Sequence, residues 1–265
     1  MNIAAIFWRR LRYRRTRWIT NRDHQRPCVQ RAGMHLAWRR SYAATMTLPN
    51  PIEAVILDMD GTLHDTEWVY HLALKRAVAA VGFEISDGFC HSLIGIPGKE
   101  CDQMLQEHLG PEFPFTECDR LYAEHREDLL AQGIPLKSGA LELLDFLVQR
   151  GLPAAVATSA TRHAAELHLG RSGLRTRLPV VITRDDVEHG KPHPDLFLQA
   201  AGSLGVPPGR CLAVEDSFNG IRAAHAAGMM AVMVPDLLTP TPDIRTLCVA
   251  IVSDLHAVRH LISVR

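Results

Sequence analysis

Ile52-Glu53-Ala54-Val55-Ile56-Leu57-Asp58-Met59-Asp60-Gly61-Thr62-Leu63 is the stretch on which the fold turns. Residues 52–57, apolar but for Glu53, make a run of strand length with Val and Ile prominent, the pattern of a strand buried on both faces. Two acids on alternate positions follow at once, so both carboxylates project toward one crevice, and Gly61 lets the chain turn sharply. One carboxylate can attack while the other handles protons. Asp-Gly also marks ordinary turns, so the dipeptide gains its weight only from standing behind a buried strand.

Further buried strands are predicted over residues 153–157, 180–182, 211–214, 229–234 and 249–252. Helices are predicted over 139–149, 194–204 and 219–227, the last stopped by Gly228. Pro194 suits a first helical position, where its missing N–H costs nothing. Strands alternating with helices predict an α/β fold with a parallel sheet covered on both faces. Residues 58–138 break the alternation. They offer helical stretches over 67–81, 99–109 and 116–131, separated by loops holding Gly88, Gly95, Pro97, Gly98, Pro111 and Pro114. A structureless loop of that length is implausible in a compact domain, so a helical subdomain inserted after the first strand is expected. It would sit over the carboxyl edge of the sheet, where such folds bind ligands.

Composition sets the outer limits. The 265 residues, 47% of them apolar and 22% charged, suffice for a large core and are neither disordered nor fibrous. No apolar stretch exceeds six residues, far short of the roughly 20 needed to span a bilayer, so no membrane partner is expected. The 29 bases and 29 acids cancel overall but are unevenly spread. Residues 1–46 carry 11 Arg against the single acid Asp23, together with Trp8, Trp18 and Trp38, leaving +10 there and −10 on the rest. Such a segment reads as an unordered basic extension, a polyanion-binding arm, or sequence upstream of a second possible start at Met46. The six cysteines, Cys28, Cys90, Cys101, Cys118, Cys211 and Cys248, never pair as C-x-x-C, so they read as reduced thiols of a cytoplasmic protein.

The remaining strand exits carry polar groups. Thr158 and Ser159 follow the second strand, offering a hydroxyl and a backbone N–H to phosphoryl oxygens, although alone they would pass for a helix cap. Gly190-Lys191-Pro192-His193-Pro194-Asp195 follows the third, with Lys191 between stiff neighbours. A lone loop lysine is usually just solvated. Glu215-Asp216-Ser217 follows the fourth, an acidic doublet suited to a hard divalent cation or, equally, to capping the next helix. Each piece is weak, but all four stand at carboxyl ends of parallel strands and so converge on one sheet edge.

Asp58-Met59-Asp60-Gly61-Thr62, then Thr158, then Lys191 in its Gly-Lys-Pro-His-Pro-Asp setting, then Glu215-Asp216-Ser217-Phe218-Asn219-Gly220-Ile221, resemble the four ordered motifs of the haloacid dehalogenase-like superfamily. The resemblance covers residue 52 to about residue 262. The helical insertion is similar to that of its small-molecule phosphatases and beta-phosphoglucomutase-like enzymes. It implies a Rossmann-like catalytic core over residues 47–65 and 137–265, with a helical cap over 66–136. It also implies Asp58 as nucleophile of an aspartyl-phosphate and Asp60 as general acid, then base. Thr158, Ser159 and Lys191 would bind phosphate, and Mg²⁺ would be held by Asp58, the Asp60 carbonyl and Asp216, with Glu215 supporting. A cation answers a physical need, since carboxylate and phosphate repel by about 4 kcal/mol per charge pair at about 4 Å and a dielectric of about 20.

Members that do not protonate a leaving group lack a second acid like Asp60, so phosphate monoester chemistry is preferred. Mutase-like relatives carry a cap Arg where Gly98 falls here, and a His about where Tyr70 stands, beside His71. Lys99 could partly replace the Arg as a phosphate-binding charge. The loop over 94–100, with Trp68, Tyr70 and His71, is expected to select the substrate, a small phosphorylated metabolite such as a sugar phosphate. A monomer is expected. A small crevice under a cap disfavours nucleic-acid substrates, which leaves the basic arm as the one feature favouring a nucleic-acid-associated role. Competing signatures fail: Lys191 is followed by Pro192 rather than Ser or Thr, no Gly-x-Ser-x-Gly elbow occurs, and Pro192 between His189 and His193 argues against a helical zinc pair.

Overall fold

A computed structural model describes residues 48–93, 98–236 and 238–264. The basic extension and the loop over 94–97 lie outside the described residues, as does the side chain of Lys99.

Six strands form one sheet in the order β3-β2-β1-β4-β5-β6, all parallel: β1 Ala54–Leu57, β2 Ala154–Ala157, β3 Val180–Ile182, β4 Cys211–Glu215, β5 Met230–Met233 and β6 Ala250–Ile251. β1 is central, with Val55 in register with Ala154 on one side and Leu212 on the other. Its period of two divides it between the faces. Val55 and Leu57 join the main core with α5 (Ala140–Gln149), α6 (Arg162–Arg171) and α10 (Leu255–Ser263). Ala54 and Ile56 point to the other face, where α7 (Asp195–Leu204) packs on β1, β2 and β3, and α8 (Phe218–Ala226) packs on β4 and β5. Every β1 residue is buried, hence the unbroken apolar run.

Among the described residues between β1 and α5 stand four helices and no strand: α1 Glu67–Ala80, α2 Asp87–Ser92, α3 Gly98–Leu109 and α4 Phe115–Ala131. α1 packs along α4. The insertion closes its own apolar clusters, one around Ala77, Val78, Ile85, Cys90, Phe113 and Cys118, another around Val69, Ala73, Leu129, Leu130 and Ile134. Its two connections to the sheet run side by side. Asp65 N–H donates to Pro135 O at 2.8 Å, Lys137 N–H donates to Leu63 O at 2.9 Å, and the Lys137 ammonium lies 3.3 Å from Asp65.

The strands are one or two residues shorter than the apolar runs suggest, except β3, which matches, and β4, which extends by one to take in Glu215. Gly139 and Pro194 lie one residue outside their helices, as caps. Four helices have no counterpart in the sequence reading: α2, α6, α9 (Pro242–Leu247) and α10. For α2 and α9 six residues are too few for periodicity to register. For α10 the signal exists, Leu255, Val258, Leu261 and Ile262 lying on one stripe behind the N-cap Asp254.

Gly139 sits at φ +88°, and a Cβ there would fall 2.5 Å from the His256 backbone nitrogen. Gly173 has φ +73° with nothing within 4 Å of such a Cβ. Gly139→Ala is therefore expected to cost roughly 2–3 kcal/mol in urea unfolding, and Gly173→Ala only about 1 kcal/mol.

Candidate active site

Because all strands run the same way, the exits of β1, β2 and β4 meet at one edge. A cavity of about 360 Å³ there is lined by Asp58, Asp60, Tyr70, Arg126, Thr158, Ser159, Ala160, Lys191, Asp216 and Ser217. Lys191 is the hub. Its ammonium donates to Asp58 Oδ1 at 2.5 Å, Glu215 Oε1 at 2.6 Å and the Ala157 carbonyl at 2.9 Å, and lies 5.2 Å from the Phe197 ring centroid. All three N–H groups are used, and the side chain is only 5% exposed. Burial works against its charge, but Asp58 and Glu215 more than reverse that and hold its pKa above the ordinary lysine range.

The acidic doublet divides in two. Glu215 is the last residue of β4 and fully buried, not exposed at the strand exit. Its Oε1 holds Lys191, and its Oε2 accepts from the Asp216 N–H, the Ser217 N–H and the Ser217 hydroxyl at 2.9–3.0 Å. Ser217 in turn caps α8 by accepting from the Gly220 N–H. A Cβ on Gly220 would fall 1.8 Å from Glu215 Oε1, so glycine is what allows the helix to start over that carboxylate. Asp216 instead lines the cavity, its Oδ1 accepting from Thr62 Oγ1 at 3.2 Å. A Cβ on Gly61, at φ +85°, would fall 2.2 Å from Asp216 Oδ2. Gly61 thus answers both the turn and the close approach.

Asp58, Glu215 and Asp216 place carboxylate oxygens within 4.8 Å of one another, with one ammonium among them. Burial pushes the Asp58 pKa up to about 8 against the pull of Lys191, with Glu215 adding to the rise. Asp216 is raised too, first by burial and then by Glu215, Asp58 and Asp236. Three acids sharing one positive charge are under-neutralised, and an oxygen-rich pocket of that kind fits a hard divalent cation such as Mg²⁺.

Asp60 faces the insertion. Its Oδ1 accepts from Thr66 Oγ1 at 3.0 Å and lies 3.4 Å from the Tyr70 hydroxyl and 3.6 Å from His168 Nδ1. Burial acts to raise its pKa, but His168, then His64 and the Thr66 hydroxyl, outweigh it and hold the carboxyl below the usual range. Thr66 is the N-cap residue of α1, yet its side chain leaves the helix end uncapped and serves Asp60. Thr158 is buried, with its hydroxyl accepting from the Ala160 N–H at 3.1 Å, and Ser159 is exposed beside it in the cavity wall.

The insertion contributes differently from the expectation. Of Trp68, Tyr70 and His71, only Tyr70 lines the cavity, and Trp68 is 38% exposed. At about 100° per residue, positions 68 and 71 cannot share the direction of position 70. The sequence reading misses Thr66 and Arg126. Arg126, on α4, lies 5.5 Å from the Tyr122 ring centroid and has no carboxylate partner among the described residues. Nothing in its local sequence sets it apart from its charged neighbours.

Comparison with known proteins assigns the family. The profile of haloacid dehalogenase-like hydrolases matches residues 55–234. The chain belongs to this family. Among relatives, this hydrolase is 30% identical over 178 residues to a phosphorylated carbohydrates phosphatase of Thermotoga maritima, covering 67% of this chain and 82% of the other. It superposes with a TM-score of 0.70 on a candidate beta-phosphoglucomutase from the same organism, at 28% identity, covering 79% of this chain and all of that one. A CbbY variant of Rhodobacter sphaeroides in complex with xylulose-1,5-bisphosphate gives a TM-score of 0.63 at 28% identity, covering 77% and 95%.

A cation held by these carboxylates would compete with protons. The unfolded chain releases the Asp58 proton near the ordinary 3.8, while the folded chain keeps it to about 8, so metal-free stability falls as pH climbs through that window. The rise in Tm on adding Mg²⁺ is therefore expected to be larger at pH 8 than at pH 5, and to vanish in Asp216→Asn. Scanning calorimetry with and without Mg²⁺ checks it, and a pH-independent gain would count against a cation at these carboxylates.

Proposed function

We propose that this hydrolase is a Mg²⁺-dependent phosphomonoester phosphatase acting on a small phosphorylated sugar, or a similar polyol or acid phosphate, through an aspartyl-phosphate on Asp58. The observation that carries the reading is a buried carboxylate ion-paired at 2.5 Å to Lys191 in a cavity shared with Asp60, Thr158 and Asp216. Asp58 attacks phosphorus and the ester oxygen leaves, taking a proton from Asp60. Asp60 then accepts a proton from the water that cleaves the Asp58 acyl phosphate. Lys191, the Thr158 hydroxyl and the Ser159 N–H hold the phosphoryl oxygens. Mg²⁺, bound by Asp58, the Asp60 carbonyl and Asp216, would neutralise charge between the carboxylates and the phosphate. Glu215 holds Lys191 and the turn into α8, since both its oxygens are already engaged.

Residues 66–136 act as a cap in this reading, closing over Asp58 and excluding bulk water. Thr66 couples that motion to the proton donor, because the residue that opens α1 also holds Asp60. The guanidinium of Arg126, which has no carboxylate partner among the described residues, meets the far end of the substrate and favours a second anionic group. The bisphosphate held by the CbbY relative is a ligand of that kind. The five described cysteines are free thiols, as suits a reducing compartment such as the cytoplasm.

A panel of phosphate esters with Mg²⁺ tests the reading. Wild type is expected to release inorganic phosphate, and Asp58→Asn to lose on the order of 10³-fold or more in kcat. Isomerised sugar phosphate in place of free phosphate would instead indicate a mutase. Arg126→Ala is expected to raise KM about tenfold for esters with a second acidic group, with little change for neutral ones.

A further inference from the structure

Asp60 belongs to a second cluster that the proposed hydrolysis leaves unused. His64 is fully buried four residues beyond it, and His168 projects from α6 and is buried as well. Their rings meet edge to face with centroids 6.2 Å apart. One ligand atom from each of Asp60, His64 and His168 falls within 4.8 Å of the others.

The hydrogen bonds fix what His64 offers. Its Nε2 lies 2.9 Å from the Ser172 hydroxyl, which itself donates to the Leu169 carbonyl at 3.2 Å. With that proton committed, Ser172 accepts from Nε2–H, so His64 Nδ1 presents a lone pair. That nitrogen is buried and has no hydrogen-bond partner. His168 Nδ1 is likewise buried with no hydrogen bond, its nearest acidic neighbour being Asp60 Oδ1 at 3.6 Å. Asp60, His64 and His168 therefore each bring one ligand atom to a common point, with the His64 ring already oriented by a hydroxyl, as ligating histidines are.

We propose that Asp60, His64 and His168 form a binding site for a divalent transition-metal ion of the Zn²⁺ or Co²⁺ class, separate from the Mg²⁺ carboxylates, and that filling it arrests turnover. Imidazole donors select such ions over Mg²⁺, which prefers oxygen. A metal there would pin the Asp60 carboxylate beside Thr66 and Tyr70 and keep it from the leaving oxygen. The arrest rests on the reading of Asp60 as proton donor, whereas the binding does not.

Co²⁺ is the probe, added to the metal-stripped full chain in the presence of saturating Mg²⁺, with binding followed by equilibrium dialysis and visible absorption. About one Co²⁺ per chain is expected to remain bound against excess Mg²⁺, in wild type and in Asp58→Asn alike. His168→Gln and His64→Asn are each expected to weaken it by at least about tenfold. Wild-type turnover should fall over the same Co²⁺ range in which the absorption band grows. Displacement by Mg²⁺, or loss in Asp58→Asn, would assign the ion to the catalytic carboxylates and overturn the site. Equal binding by both histidine variants would place it on other histidines and overturn it too. Should one variant misfold by circular dichroism, the other and Asp58→Asn still decide. Full binding with undiminished turnover would overturn the arrest. Dialysis requires no activity, so failure of the phosphatase reading leaves the binding test intact.

Discussion

One ammonium group organises the sheet edge. Lys191 reaches from the loop after β3 beneath the ends of β1, β2 and β4, and its three N–H bonds go to a residue at the end of each: Asp58, Ala157 and Glu215. A buried lysine is costly unless paired, and here the pairing joins chain segments more than 130 residues apart. Remove that charge and three acids face one another with nothing between them. The edge is therefore poised, with enough positive charge to assemble but too little to be neutral, a balance that suits a divalent ion.

The glycines around the edge follow from the same crowding. Gly61 and Gly220 stand where a methyl group would occupy the space of the Asp216 and Glu215 carboxylates. Positions that resemble turn and helix punctuation in the sequence are, in three dimensions, clearances for charge. Each of the two acids is held by its own clearance, so the neighbours Glu215 and Asp216 point to different duties, one beneath the helix and one into the cavity.

Much of this was legible in the sequence. Parallel strands buried on both faces are written as continuous apolar runs, so β1 to β6 could be read, and the residue after a parallel strand must stand at the ligand edge. Asp58, Asp60, Thr158, Lys191 and Asp216 reach the cavity for that reason. The depth of Glu215 was not legible, because a strand's last residue and the first beyond it look the same when both are acidic. Nor were Thr66, Arg126 or the His64–His168 pair, whose positions depend on how the helices pack around Asp60, and a residue's place on a helix says nothing about which cavity the helix adjoins. Trp68 and His71 make the same point in reverse, close to Tyr70 in number and turned elsewhere by the helix.

The strand order has a consequence for how the chain is made. β1 leaves the ribosome first, yet the neighbour that pairs with it on one side, Leu212 against Val55, is synthesised more than 150 residues later. Throughout that interval the central, wholly apolar strand has an open flank, the arrangement most exposed to wrong partners. The inserted helices emerge during the wait and can bury their own apolar residues without the sheet. The insertion would thus occupy the chain while its central strand is still incomplete, shortening the stretch of greasy polypeptide left loose in the cell.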